Sequence, residues 1–317
     1  MKEIANKYKK PFFGGLLIGL SVVVAVLILG DLKGVVMVFA GFNLRYLPVI
    51  LLLAPLNYVF RYIKWSYYLK LSNLFPEPKM NILIFTSGLS MTVTPGKVGE
   101  LLKCYLLKEH INAPFSVTSS IVMAERLTDG IAMAILASLG TLAYGYGGYV
   151  LPATFGVLAA VIILLQYDRP FRYLEHLVGK RKFWRKCAAF LLEFQGSARR
   201  LFTLPALLFA VVIGVVSWGF EGAVIFLAVK AFGGEISFLG SVFVVSFSSI
   251  LGALSFLPGG LGVAEGSILA LLLWTGLGRE MAAATTLITR FSTLWLGVVI
   301  GLVGLYLVQK ELFKVES

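Results

Sequence analysis

The sequence predicts an all-α polytopic membrane protein with about six full spans and two re-entrant helical hairpins, arranged as an inverted repeat. Its 317 residues are 58% hydrophobic and only 14% charged, whereas soluble domains are about 45–50% apolar. Two Gly/Pro-rich motifs interrupt apolar stretches in the two halves of the chain. We treat residues 1–317 as a single transmembrane domain. Its long uncharged runs are residues 12–30, 205–220, 237–264 and 291–309.

Clustered positive charge predicts which segments face the cytoplasm. The net charge of +12 is carried by residues 1–10 (+3), 61–79 (+3) and 167–203 (+6), and the rest of the chain is neutral overall. Lys and Arg gathered between spans follow the positive-inside rule, so this charge does not indicate nucleic-acid binding. We expect a multi-pass protein of the cell inner (plasma) membrane with its N- and C-termini in the cytoplasm.

The first two spans follow from this orientation. Residues 12–30 leave the cytoplasm and residues 46–65 return to it, and each run is close to the about 20 apolar residues that a bilayer core requires. We assign Arg61, Lys64 and Trp65, at the end of the second span, to the cytoplasmic interface, because basic and aromatic side chains gather there.

The next segment is constrained by the spans on either side of it. Residues 80–112 begin and end in the cytoplasm, because residues 115–143 form the next outward span. The break at Thr94-Pro95-Gly96 favours a re-entrant hairpin over two short spans, since such residues are tolerated at membrane depth only where the backbone is packed in protein or lines a cavity. A return span at residues 148–166 then leads to the basic cytoplasmic segment 167–203.

The second half repeats this order with reversed direction. Residues 204–229 leave the cytoplasm, residues 237–277 form a hairpin that enters from outside, and residues 282–309 return. Span, hairpin and span therefore occur as residues 46–143 and again as residues 204–309, which is the arrangement of an inverted repeat.

Two similar motifs mark the breaks of the predicted hairpins. They are Pro95-Gly96-Lys97-Val98-Gly99-Glu100 and Pro258-Gly259-Gly260-Leu261-Gly262-Val263-Ala264-Glu265, and an arginine follows each glutamate after 26 and 25 residues. A helix that begins after such a break directs unpaired N–H groups and the positive end of its dipole forward. The motifs therefore suit a phosphate group, although glycines that only permit tight hairpin packing give the same pattern.

Seven ionisable residues lie in or beside apolar segments, where a charge at the bilayer centre costs at least about 2.5–3.5 kcal/mol. Arg126 and Asp129 are three residues apart and share a helix face. We predict a pair between Glu100 and Arg126, and another between Glu265 and Arg290. Such pairs are either purely structural or line a polar cavity in which arginines hold a lipid phosphate and carboxylates hold an amine or a proton. The seven residues are Glu100, Glu125, Arg126, Asp129, Glu221, Glu265 and Arg290.

Other ionisable and sulfur-containing residues give weaker signals. Glu221 has no basic residue within eight positions, so coupling to protons, pairing across helices and hydrogen-bonded packing all remain open for it. Cys104 and Cys187 are too few and too widely separated for a disulfide framework or a zinc site. We found no Cys/His cluster, nucleotide-binding glycine loop or Ser/His/Asp grouping, so we predict no metal, no cofactor and no enzyme activity.

Three motifs together resemble one family. TPGKVGELLKCYLL at 94–107, AERLTDG at 124–130 and LPGGLGVAEG at 257–266 resemble the lysylphosphatidylglycerol synthase transmembrane, or flippase-like, family over nearly the whole chain. The resemblance implies a polytopic inner-membrane protein that moves a lipid or a lipid-linked group between leaflets. Full synthases of this kind add a soluble acyltransferase domain, whereas this sequence ends at Ser317, so we do not expect aminoacyl transfer. Lys97 stands where Arg is expected in many relatives, which keeps the charge but loses the bidentate fork.

Our main hypothesis is a lipid flippase in which two hairpins present Lys97, Arg126 and Arg290 to a phosphate headgroup while one half rocks against the other. One alternative is an intramembrane lipid-modifying transferase with Glu100 or Glu265 as general base. Another is an accessory membrane subunit of a lipid or glycan biosynthesis enzyme. The expected partners are membrane lipids, either anionic or aminoacylated phospholipids or polyprenyl-linked lipids. Gly297-x-x-x-Gly301 is compatible with helix packing within one chain or in a homo-oligomer.

Overall fold

The computed structural model describes residues 2–94, 99–144, 150–167 and 182–315. These residues form α-helices joined by short turns, with no β-strand among them, and the all-α class is confirmed. In chain order the helices are α1 (Lys2–Leu29), α2 (Leu32–Ala40), α3 (Leu47–Leu71), α4 (Pro78–Leu89), α5 (Leu102–Ile111), α6 (Phe115–Tyr144), α7 (Val150–Gln166), α8 (Lys182–Leu201), α9 (Leu204–Ala231), α10 (Phe238–Leu254), α11 (Val263–Trp274), α12 (Arg279–Arg290) and α13 (Leu296–Val315).

Several of these helices are long and apolar enough to cross a bilayer. Within the described part of the chain they are Leu44–Leu71, Leu204–Ala231 and Arg279–Glu311, and the bent pair α1–α2, with a 90° angle at the break, is a fourth candidate. The predicted spans at 115–143 and 148–166 are helical as α6 and α7. The protein is therefore a membrane protein, and the count of six full spans stays a prediction.

Helix α6 explains why length and hydropathy alone do not settle that count. It has 30 residues, enough to cross a bilayer at about 1.5 Å per residue. Its central turns, however, carry Glu125, Arg126 and Asp129. A helix with three such charges needs partners inside the protein, and these partners are described with the site below.

Two helix–break–helix units stand where the sequence predicts hairpins. The first broken unit is α4, the first break, described at residues 90–94 and 99–101, and α5. The second broken unit is α10, the second break at residues 255–262, and α11. Helices α4, α5 and α11 have 12, 10 and 12 residues, so each is about 15–18 Å long. That length is only about half of the roughly 30 Å hydrocarbon core.

The glycines of the second break adopt a backbone conformation that other residues rarely reach. Gly259, Gly260 and Gly262 have φ of 59°, 68° and 87°, in the left-handed region where a Cβ is strained. Pro258 begins the short 3₁₀ turn that contains the first two of them. This explains why three glycines occur in five residues here. Pro95, Gly96 and Lys97 of the first break lie outside the described residues.

The main helix contacts join the two halves of the chain reciprocally. Helix α3 packs along α9, α6 packs along α10, and α4 packs along α13. In each pair one helix belongs to residues 46–143 and the other to the second half. The first helices of the halves therefore pack on each other, and the first helix of each broken unit packs on the last long helix of the opposite half.

Small residues allow the α4–α13 contact to be close. A Cβ added at Gly301 would meet the backbone nitrogen of Ser90 and lie 2.6 Å from the carbonyl carbon of Leu89, and one added at Gly304 would lie 3.0 Å from the nitrogen of Ser87. Gly301 is thus used for packing within this chain.

We expect Gly301→Ala to lower the free energy of unfolding by about 1–3 kcal/mol, because the added methyl group forces two backbones apart. Gly219→Ala in α9 is the matched control, since a Cβ there meets nothing within 4 Å. It should change stability by less than about 1 kcal/mol, in the stabilising direction. Thermal unfolding of both variants in one detergent measures the difference, and equal melting temperatures would show that α4 and α13 are not in close contact.

The side chains of Arg61, Lys64 and Trp65, which the sequence assigned to a membrane interface, face protein instead of a membrane surface. Helix α3 continues to Leu71, and all three side chains are buried in the protein. The Trp65 indole N–H donates to Asn81 Oδ1 at 2.9 Å. Charge counting along the sequence could not reveal this, because the compensating groups come from distant helices.

Candidate functional site

One cavity of about 330 Å³ lies between the two halves. Its wall includes residues from α3, α6, α9, α10 and α12, and from both breaks. Of the residues predicted to bind substrate, it places Arg126, Asp129 and Glu100 from the first half together with Gly259, Gly260 and Arg290 from the second. The ionisable residues on the wall are Tyr58, Arg61, Glu100, Arg126, Asp129, Glu221 and Arg290.

Arg126 is the centre of the first group of charges. Its Nε lies 3.2 Å from Glu100 Oε2, and its Nη2 lies 3.3 Å from Asp129 Oδ2, as the sequence predicted. The two carboxylates are almost completely buried, whereas the Arg126 side chain is 21% exposed. Arg126 is thus the member of the group whose side chain keeps exposed surface, although its Nε and Nη2 are themselves buried.

Two lysines complete the compensation of charge in the first half, and neither was predicted. Lys64 forms a buried ion pair with Asp129. Lys103 Nζ lies 2.6 Å from Glu125 Oε2 and 4.1 Å from the centroid of the Trp65 ring. Glu125 is fully buried and is not on the cavity wall. Its role in this structure is to hold α5 against α6.

In the second half, Arg290 connects α12 to the second break. Its Nε donates to Glu265 Oε1 at 2.5 Å, and its Nη2 donates to the carbonyl of Gly259 at 3.0 Å. The predicted pair with Glu265 is present. One guanidinium therefore holds both the backbone of the break and the first turn of α11.

Glu265 also occupies the N-terminus of its own helix. Its Oε2 accepts the N–H of Gly262 at 2.7 Å, which caps α11. The sequence suggested that a phosphate would accept from such N–H groups, but the carboxylate already fills part of that position. Pro258, Gly262 and Glu265 are not on the cavity wall, so their observed contacts support the geometry of the break.

The two breaks touch each other. A Cβ added at Gly259 would lie 3.4 Å from the carbonyl oxygen of Thr92 and 3.5 Å from Cα of Val93. Gly99 has a packing role, because its N–H donates to Thr94 Oγ1 at 2.8 Å and a Cβ there would lie 2.9 Å from the carbonyl oxygen of Met91. The first and second broken units thus meet at the cavity.

The contact between α3 and α9 contributes a second polar wall. Asn57 Nδ2 donates to the carbonyl of Ser217 at 2.8 Å and to Glu221 Oε1 at 3.3 Å. This hydrogen bond joins Glu221 to α3, which agrees with both pairing across helices and hydrogen-bonded packing, while coupling to protons stays a prediction. Sequence reasoning missed Tyr58 and Arg61 on this wall; the available signal was an arginine inside an apolar run, which we counted as a cytoplasmic charge.

A comparison with protein families places this geometry in a known context. A profile described as the lysylphosphatidylglycerol synthase TM region matches residues 15–301. The chain belongs to this family. The matched region contains both broken units and every residue named on the cavity wall. A search of curated proteins found no significant match.

Membership in the lysylphosphatidylglycerol synthase TM-region family supports a function related to membrane lipids. The cavity of this family member is consistent with such a ligand, because it combines charged groups with an apolar edge. Leu254, Phe256 and Leu257 line the cavity and are also exposed on the outside of the protein. The site is therefore bordered by surface that suits acyl chains.

Proposed function

We propose that this protein moves a phospholipid, or another lipid with an anionic headgroup, between the leaflets of the cell inner membrane without changing it covalently. The observation that carries the proposal is that Arg126 and Arg290, one from each half, face the same cavity. Their side chains are 21% and 16% exposed, while the carboxylates that pair with them are buried. Both arginine side chains are thus accessible to an anionic headgroup.

The buried nitrogens of Arg126 are already directed at carboxylates, so a ligand contacts the exposed part of its side chain. Its Nε and Nη2 have almost no accessible surface and lie at ion-pair distance from Glu100 and Asp129, whereas the side chain as a whole keeps exposed surface on the cavity wall. The carboxylates balance the positive charge of the arginines, and they suit the amine of a zwitterionic or aminoacylated headgroup.

The reciprocal packing supports an inverted repeat, and with it a route between leaflets. A pseudo-two-fold axis relates equivalent helices of the two halves, so each contact between halves must recur with the halves interchanged. The contacts α6–α10 and α4–α13 are related in this way, and α3–α9 joins the two equivalent first helices. In transporters built this way the site lies at the interface of the repeats, and one repeat rocks against the other. We therefore propose that the two broken units are re-entrant hairpins from opposite faces and that both termini are cytoplasmic.

The apolar edge of the cavity supports movement of a lipid rather than of a small soluble anion. Phe256, at the second break, is 75% exposed although it also lines the cavity, and it has a left-handed φ of 54°. Exposed Leu254 and Leu257 flank it. A headgroup can then enter the polar cavity while its acyl tails stay among the lipids.

We expect Arg126→Gln and Arg290→Gln each to slow lipid movement about tenfold or more, because a hydrogen bond to a charged group contributes about 1.5–3 kcal/mol. The assay follows fluorescent phosphatidylglycerol in proteoliposomes and quenches the outer leaflet with dithionite. Arg45→Gln, at an exposed arginine, is the matched control.

If all three variants move lipid as fast as the unaltered protein at equal reconstitution, the proposed site is wrong. Mass spectrometry of the recovered lipid separates transport from the transferase alternative, since a transporter leaves the lipid mass unchanged. An accessory subunit would move no lipid in this purified system.

A further inference from the structure

Two buried N–H donors on the cavity wall are not used by the contacts described so far. Arg61 is 9% exposed and Trp218 is 6% exposed, and both line the cavity. Arg61 Nε and Trp218 Nε1 have no hydrogen-bond partner in the described part of the chain. A buried donor without a partner costs about 1–3 kcal/mol, and more when it is charged. Such a cost indicates a position that a ligand completes.

The packing of α3 on α9 places residues 61 and 218 at the same level of the two helices. Asn57 contacts Ser217 and Glu221, and a Cβ added at Gly214 would lie 3.9 Å from Lys64 Nζ. The helices therefore run antiparallel, with residue 57 beside 217–221 and residue 64 beside 214. Arg61 is one turn from both contacts, so it lies at the level of Ser217 and Trp218.

Arg61 differs in charge compensation from the other two arginines of the cavity. Arg126 and Arg290 each form an ion pair with a carboxylate. Arg61 forms no ion pair among the residues that the structure describes, and it is not held by a hydrogen bond at Nε. Arg61 is thus the arginine on this wall that has no carboxylate at ion-pair distance in the described part of the chain, although the charge of Asp129 acts on it at longer range.

The chemistry of the two groups restricts the ligand. Guanidinium and indole N–H groups are donors only, so a ligand partner of either group must be an acceptor. A guanidinium favours an oxyanion with two oxygens in one plane, such as a phosphate. Glu221 lies beside this position and accepts from Asn57, so a purely anionic ligand must place its oxygens toward Arg61 and Trp218.

We propose that Arg61 and Trp218 form an oxyanion subsite that binds a phosphate group inside the cavity. This inference rests on the proposed function and deepens it, because it assigns the phosphate to the α3–α9 wall. Arg126 and Arg290, already paired with carboxylates, then contact the remainder of the headgroup. The phosphate comes from a lipid headgroup or from free phosphate, and the two sources are distinguished by experiment.

The test measures ligand binding to the purified full-length protein by isothermal titration calorimetry in a neutral detergent. The probes are dihexanoyl phosphatidylglycerol, inorganic phosphate and dihexanoylglycerol, which lacks the phosphate. We expect Arg61→Gln to weaken phosphatidylglycerol binding about tenfold or more, and Trp218→Phe to weaken it about three- to tenfold, since each removes one N–H···O⁻ interaction. Binding of dihexanoylglycerol should not depend on either residue.

Arg45→Gln and Trp274→Phe are matched controls at exposed positions, and thermal unfolding verifies that each variant is folded. Trp218→Phe retains the aromatic ring, so it tests the donor even if Arg61→Gln is unstable. The subsite is rejected if both variants bind phosphatidylglycerol as tightly as the controls. If inorganic phosphate binds with the same dependence on Arg61, the oxyanion alone is recognised. If phosphatidylglycerol binds but inorganic phosphate does not, the acyl chains are required as well.

Transport assays on the same proteins separate this inference from the proposed function. If the unaltered protein moves lipid and both variants bind phosphatidylglycerol undiminished, the subsite is rejected and the transport function is kept. Reduced binding in the variants, with no lipid movement by the unaltered protein, rejects the transport function and keeps the subsite.

Discussion

Lys103→Met is expected to lower the free energy of unfolding by about 3–5 kcal/mol, because it leaves a buried carboxylate without its counter-charge. Lys103 Nζ lies 2.6 Å from Glu125 Oε2, and both side chains are almost completely shielded from solvent. Met retains most of the volume of the lysine stem, so the change removes the charge with little loss of packing. Thermal or denaturant unfolding in one detergent gives the difference.

Lys79→Met is the matched control, since Lys79 forms an ion pair with Glu311 at 3.0 Å on an exposed surface. Such pairs contribute only about 0–1 kcal/mol. The double variant Lys103→Met/Glu125→Leu should regain much of the lost stability, because replacing a whole buried pair by apolar groups is often neutral. Equal losses in Lys103→Met and Lys79→Met would contradict a buried pair between α5 and α6.

The sequence was sufficient to predict the pairs formed by neighbouring elements. Arg126 with Asp129 follows from helix periodicity, and Glu100 with Arg126 and Glu265 with Arg290 follow from matched spacing in the two halves. In each case a charge in an apolar segment demands compensation.

Partners from distant helices could not be predicted in this way. Lys64 was assigned to a cytoplasmic interface because it follows an apolar run, yet it pairs with Asp129 across 65 residues. Glu125 was grouped with substrate-binding residues, whereas in the structure it pairs with Lys103 and is not on the cavity wall. Local pattern shows that a charge needs a partner, but tertiary packing decides which partner it finds.

The backbone of the glycine-rich motif was also predicted only in part from the sequence. The sequence indicated close backbone approach around Gly259 and Gly260, and both lie on the cavity wall at positive φ. It did not indicate that Glu265 would cap Gly262 and so fill part of a helix N-terminus. The same side chain serves as cap and as partner of Arg290, and only three-dimensional packing reveals both roles.

A disulfide between the two breaks should stop lipid movement almost completely. A Cβ at Gly259 would lie 3.5 Å from Val93 Cα, so cysteines at these positions have Cβ atoms at most about 5 Å apart, close to the about 3.5–4.5 Å of ordinary disulfides. If a headgroup crosses by rocking of one half against the other, the breaks must separate. A covalent link between them prevents that step.

The measurement uses Val93→Cys/Gly259→Cys with Cys104 and Cys187 replaced by Ala, reconstituted and assayed for lipid movement before and after oxidation. Each single cysteine variant is oxidised in parallel, which controls for the strained φ of Gly259 and for the oxidant. Our account predicts that lipid movement is lost in proportion to the cross-linked fraction and returns on reduction. If the fully cross-linked protein moves lipid as fast as the same protein does after reduction of the disulfide, the claim that a headgroup crosses between the two broken units is contradicted.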